Sequence, residues 1–204
     1  MSKKKLVLTS IVVFLLVGSA VFGFLMWKHT SEHKAEMEPA SVSITVNAEG
    51  WSEETSSPVP LHITGQTDDK EKVDEKYFVG KSDKELALKP GVYEIEVYAS
   101  PVTEAGGMYR VAEPVEIGVS KNASDAKCKC SPSADITLSP IPANEITDEE
   151  IEKAQAAMKE AGLSEEEINT FVDVARKARQ AELDRIEKER KAKEEAELMQ
   201  KTPG

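Results

Sequence analysis

From Leu6 to Trp27 the chain has no charged side chain, an uninterrupted run of 22 residues. A bilayer core of roughly 30 Å takes about 20 apolar helical residues, so the run predicts a transmembrane helix. Lys3, Lys4 and Lys5 precede it, and Trp27 with Lys28 closes it as an interfacial aromatic and a snorkelling cation. A cleaved signal peptide is the competing reading, with Gly18-Ser19-Ala20 as its small-residue site. Residues 21–27 continue the apolar run beyond that site, where a signal peptide turns polar, and this favours a retained anchor. No cysteine stands near the end of the run, so lipoprotein processing is not expected. Three lysines lie before the span and only Lys28 and Lys34 just after it. The positive-inside bias then predicts a single-pass protein of the cell membrane, with its N-terminus cytoplasmic and residues 28–204 extracytoplasmic.

Across residues 41–140 the apolar period is two. Val42, Ile44 and Val46 alternate with Ser43, Thr45 and Asn47, and Val59, Leu61 and Ile63 repeat the pattern. Leu86 with Leu88, then Tyr93, Ile95 and Val97, Val115, Ile117 and Val119, and Ile136 with Leu138 continue it. Alternation buries one face and wets the other, as in antiparallel sheets. Glu49-Gly50, Ser56-Ser57-Pro58, Lys89-Pro90-Gly91 and Gly106-Gly107 supply turns between the runs. About seven short strands without a helical period predict a two-sheet sandwich. Pro114 marks an edge, a bulge or a break between strands.

The period changes again after residue 145. Thr147 with Glu150 three residues on forms a capping box, and Ile146 with Ile151 a hydrophobic staple. The signal recurs at Ser164 with Glu167, and Gly162 between them supplies a left-handed stop. Ile151, Ala154, Met158 and Ala161 can then face Ile168, Phe171, Val172 and Ala175 in a helical hairpin. The second helix is predicted to run to about Met199, its apolar face thinning after Ile186 into an ion-paired stretch. A solvated tail is favoured there over half of a coiled coil, because no heptad pattern lasts three repeats. The organisation expected is therefore an anchor over residues 1–28, a linker over 29–40, a sandwich over 41–140 and a hairpin over 146–200.

Charge narrows the function classes. The net charge is −11, and it is uneven: residues 41–145 hold 10 basic and 18 acidic side chains, whereas residues 1–40 hold 5 and 3. A nucleic-acid binder needs a clustered basic face, which this balance excludes. Two cysteines cannot staple a small disulfide-built scaffold.

The stretch Leu86-Ala87-Leu88-Lys89-Pro90-Gly91-Val92-Tyr93-Glu94-Ile95-Glu96-Val97 resembles the strand, Pro-Gly turn and tyrosine strand of prealbumin-like sandwiches, as in the collagen-adhesin B-type repeats of bacterial surface proteins. The resemblance covers residues 41–140 and implies a mainly β, Ig/prealbumin-like fold used for spacing, adhesion or assembly. Many such domains cross-link a first-strand lysine to an asparagine near the last strand. The first strand here, residues 41–47, has no lysine, and residues 134–139 hold no asparagine, so that bond is not expected. The chain ends Gln200-Lys201-Thr202-Pro203-Gly204, with no wall-anchoring signal.

Candidate chemistry is sparse. Cys128 and Cys130 flank Lys129, and their Cα atoms in an extended chain sit near the 6.8 Å limit for a disulfide. A local disulfide, free thiols, and a redox or soft-metal pair remain open, the metal reading needing two further ligands where only His62 is present in this segment. His29 and His33 could share a helix face but make a poor metal site alone. Residues 67–76 form an acidic segment without the alternating ligands or central glycine of a calcium loop, and are expected to be a solvated connection. Asn122-Ala123-Ser124 fits a glycosylation sequon. No Ser-His-acid arrangement, phosphate-cradling glycine loop or zinc cluster is written in the sequence, and no cofactor is expected. The expected function is non-enzymatic: a membrane-anchored interaction protein whose partner meets the sandwich or the C-terminal helices. A carbohydrate-binding module using Trp51, Tyr77, Phe78, Tyr93, Tyr98 or Tyr109 is the alternative, and a thiol redox or metal-delivery factor a third.

Overall fold

The computed structural model describes residues 38–81, 85–120 and 132–201. The anchor run from Leu6 to Trp27, His29, His33, Asn122, Cys128 and Cys130 all lie outside these residues. Among the described residues no helix is long and apolar enough to cross a membrane.

Among the described residues nine strands precede two helices. They are β1 (Ala40–Ser41), β2 (Ser43–Ala48), β3 (Val59–Thr67), β4 (Lys72–Val79), β5 (Ala87–Leu88), β6 (Gly91–Val97), β7 (Tyr109–Arg110), β8 (Val115–Val119) and β9 (Ser133–Pro140). A 3-10 turn (Ala143–Glu145) leads into α1 (Asp148–Glu160) and α2 (Glu165–Lys201). The strands form three sheets, ordered β4-β3-β6-β8, β2-β9-β7 and β1-β5. The first is antiparallel throughout. Leu61, Ile63, Tyr93, Ile95, Val97, Ile117 and Val119 from it and Ala134, Ile136 and Leu138 from β9 enter one buried cluster. All of them except Ala134 are residues that the alternation marked.

Two expectations need correction. Residues 72–79 are a strand, not a solvated connection; only Asp68 to Glu71 turns between β3 and β4. Lysines and acids occupy most of β4 because it is an edge strand, where side chains on both faces reach water. The pairing is also not wholly antiparallel, since β2 runs parallel to β9 from Ser43 beside Ser133 to Ala48 beside Leu138. Alternation reports burial of one face, which a parallel pair at the edge of a small sheet satisfies as well.

The β body has two distinct ends. β3 and β6 are paired from Thr67 with Gly91 at one end to Leu61 with Val97 at the other, about 20 Å away. Pro39 lies beside Thr67, Lys89 and Tyr93, so the described chain enters at the first end. The helices sit at the second. There Ile146, Ile151, Ala154, Met158, Ile168, Val172 and Ala175 bury themselves with Val102, Met108 and Ile141 of the β body. The hairpin therefore closes on the connections of the β body as well as on itself.

Local chemistry builds this junction. Thr147 and Glu150 form the expected capping box, with Glu150 N–H donating to Thr147 Oγ1 at 3.2 Å and Thr147 N–H to Glu150 Oε2 at 2.8 Å. Gly162 ends α1 at φ +78°. The loop from Val102 to Met108 is a tight hairpin in which Thr103 N–H reaches Gly107 O at 2.9 Å and Gly107 N–H reaches Thr103 Oγ1 at 2.9 Å. Its Gly106, at φ +81°, lies against the α2 backbone so closely that an added Cβ would stand 2.3 Å from Val174 O. Past Arg179, which pairs with Asp148 at 2.9 Å, α2 projects for 22 further residues, about 33 Å.

Candidate functional site

Among the described residues, the side of the β body between the edges of β2 and β4 is open. A cleft of about 940 Å³ lies there, walled by Ser41 to Ile44, by Tyr77 and Val79 of β4, and by Glu85 and Leu86. Glu53, Glu54, Gly80 and Lys81 complete its wall. Its floor is apolar: Val42, Val79 and Leu86 are buried core residues, with Ile44 half-buried beside them. The rim is acidic, with three carboxylates against the single Lys81 ammonium among the lining residues. Ser41 Oγ donates to Glu85 Oε2 at 2.5 Å and fixes one of those carboxylates. Gly80, at φ +87°, packs against Glu53, where an added Cβ would stand 3.6 Å from the Glu53 Cα.

Tyr77 faces this acidic surrounding, and its hydroxyl is held above the usual tyrosine value. Burial is the largest cause, Glu53 and Glu85 add to it, and a backbone hydrogen bond with Leu86 opposes it. The phenol therefore stays protonated, a neutral hydrogen-bonding group inside an anionic rim. A second, smaller cleft of about 460 Å³ follows the same open side towards the chain entry, lined among others by Pro39, Glu71, Glu75, Leu88 and Tyr93.

A different cluster joins the β body to α1. Glu160 Oε2 accepts from Lys76 Nζ at 2.7 Å and from Tyr98 OH at 2.8 Å, while the Lys76 ammonium stands 5.0 Å over the Tyr98 ring. The Lys76 and Tyr98 hydrogen bonds hold the Glu160 carboxyl below its ordinary value. Burial, then the Glu160 contact, drives the Tyr98 hydroxyl far up. All three groups satisfy one another, which makes this a clasp between elements.

The residues singled out in the sequence fall in several places. Trp51 is half-buried against the β core and donates its indole N–H to Ser57 O at 3.0 Å. Tyr93 and Tyr109 are each 1% exposed and belong to the core; their hydroxyls donate to Lys89 O and Glu49 O. Phe78, on β4, is half-buried opposite Pro60 of β3. Tyr77 alone of the named aromatics lines the larger cleft. His62 is held by Asp74 at 2.7 Å across β3 and β4. No group of three His, Cys, Asp or Glu side chains able to hold a metal is found among the described residues.

Sequence reasoning did not foresee the cleft. Its signal was present only as an uncharged first strand, Ser43, Thr45 and Asn47 outward, with Glu53-Glu54 soon after. No family model, curated protein or solved structure matches this chain.

Proposed function

We propose that this chain is a single-pass membrane protein that displays a non-enzymatic interaction module outside the membrane. In this reading residues 6–27 are the retained anchor, and the β body is a two-layer, prealbumin-like sandwich. The observation that carries the proposal is the polarity of the β body. The described chain enters beside Thr67, Lys89 and Tyr93, at the end that follows the apolar run and its short linker. The helices are docked at the opposite end, on Val102, Met108 and Ile141. Such an arrangement supports presentation: one end is tied to the anchor, and the helical end and the open side are turned to partners.

The reading is tested by washing membranes from cells expressing the full chain with alkaline carbonate. The wild-type chain is expected to stay in the membrane pellet. A variant with Leu15→Arg and Leu16→Arg, which places two charges mid-span at roughly 2.5–3.5 kcal/mol each, is expected to leave it. Release of the wild-type chain would refute the anchor.

A further inference from the structure

We propose that the cleft beside β2 is a docking groove for an extended, basic peptide segment of a partner protein, which adds to the free edge of β2 as a further strand. This rests on the interaction reading above and gives it a location and a chemistry.

Backbone geometry carries the first part. Four consecutive residues, Ser41 to Ile44, line the cleft, so the edge of the strand faces it rather than one side-chain face. Successive N–H groups of a strand point to opposite edges. Val42 N–H bonds Leu86 O at 2.7 Å, whereas Ser43 N–H bonds Pro132 O at 3.0 Å on the β9 side. The N–H groups of Ile44 and Val46 thus share the edge of Val42, which among the described residues is paired only through Ser41 with Ala87 and Val42 with Leu86. Among the described residues β2 is the terminal strand of its sheet, so the stretch from Ile44 onward stands ready for another strand.

The contrast with β4 carries the second. Exposed edges are ordinarily blunted by charges or inward-pointing ionised groups. β4, across the cleft, is blunted in this way: Lys72, Asp74 and Lys76 project outward and Glu75 faces inward. β2 has none of these devices; its outward residues are Ser43, Thr45 and Asn47 and its inward ones Ile44, Val46 and Ala48. One edge of the open side is protected against strand addition and the other is not.

Charge and volume select the occupant. Glu53, Glu54 and Glu85 against Lys81 favour cationic side chains at the rim, while Val42, Val79 and Ile44 offer apolar surface below. An extended peptide alternating basic and apolar residues meets both at once, because its side chains alternate between the two faces. The volume accommodates several residues of such a chain, being at the top of the range for ligand pockets.

The test uses the full chain in neutral detergent and a fluorescent synthetic peptide alternating lysine and valine. Its controls are the glutamate–valine counterpart and the lysine–valine peptide N-methylated at alternate backbone amides. Saturable binding of the first is expected, with the glutamate peptide weaker by about tenfold or more. N-methylation, which removes the ladder donors without changing charge, is expected to abolish binding. The double variant Glu53→Lys and Glu54→Lys, both exposed, is expected to lose about tenfold in affinity with an unchanged melting temperature. Absence of saturable binding, equal binding of the N-methylated peptide, or wild-type affinity in the double variant would each overturn the groove. Loss of the groove in a chain that still sits in the membrane with its C-terminus outside leaves the display reading intact. Cleavage of a bound peptide would keep the groove and remove the non-enzymatic reading.

Discussion

At the scale of single residues, the tyrosines report the electrostatics of the fold most directly. All four, Tyr77, Tyr93, Tyr98 and Tyr109, have hydroxyls raised above 10.0, in each case chiefly by burial and then by neighbouring carboxylates. A raised acid stabilises the fold fully below its unfolded value and loses that contribution as pH climbs past it. Near-ultraviolet absorbance is therefore expected to show little tyrosinate at pH 10 in the folded chain, with the signal rising together with unfolding at higher pH. Ordinary titration of several tyrosines near 10 in the folded state would contradict the burial described. Gly106 makes a second residue-scale test. Alanine there must adopt a left-handed φ, costing about 1–2 kcal/mol, and also displace α2 from Val174. Gly106→Ala is expected to lower stability by about 2 kcal/mol or more in urea unfolding, whereas Gly118→Ala, with open space around it, should change it far less.

At the scale of elements, legibility in the sequence follows the range of the interactions. The helix starts were readable because a capping box is local: Thr147 and Glu150 satisfy one another within one turn. Thr147→Ala should accordingly cost about 1 kcal/mol. The central strands β6 and β9 were readable because one face of each is buried and the other wet, and β3 because Val59, Leu61 and Ile63 alternate on its buried face. β4 was not, since its inward positions read Val73, Glu75, Tyr77 and Val79, and a glutamate facing an open edge breaks the alternation. The pairing of β2 with β9 lies beyond any local pattern; only topology brings residues 43–48 beside residues 133–138. The cleft was illegible for the same reason, because its walls come from segments far apart in the chain. The projecting part of α2 is held by exposed pairs such as Arg185 with Glu182 and Glu189, Lys191 with Glu187, and Arg190 with Glu194. Exposed pairs contribute only tenths of a kcal/mol each. Truncation after Gln180 should thus leave the melting temperature of the remainder almost unchanged, while Met158→Ala, which opens the buried junction, should cost about 2–5 kcal/mol.

At the scale of the whole molecule, two cores are joined in series. The β core and the helical core meet at Val102, Met108 and Ile141, and the Lys76–Tyr98–Glu160 clasp ties their outer margins. Because the Glu160 carboxyl lies below 4.5 in the fold, its contribution is complete above that pH and fades as acid protonates it. The clasp should therefore hold at neutral pH and open only in strong acid. Amide exchange near the end of α1 would show it, with Glu160→Gln mimicking the acid state at pH 7. The central claim is that this two-core body stands outside a membrane on an N-terminal anchor. The most direct measurement is antibody staining of an epitope fused after Gly204, on intact cells and on permeabilised ones. The account predicts equal staining in both. Staining that requires permeabilisation would put the β body and its helices on the cytoplasmic side and contradict it.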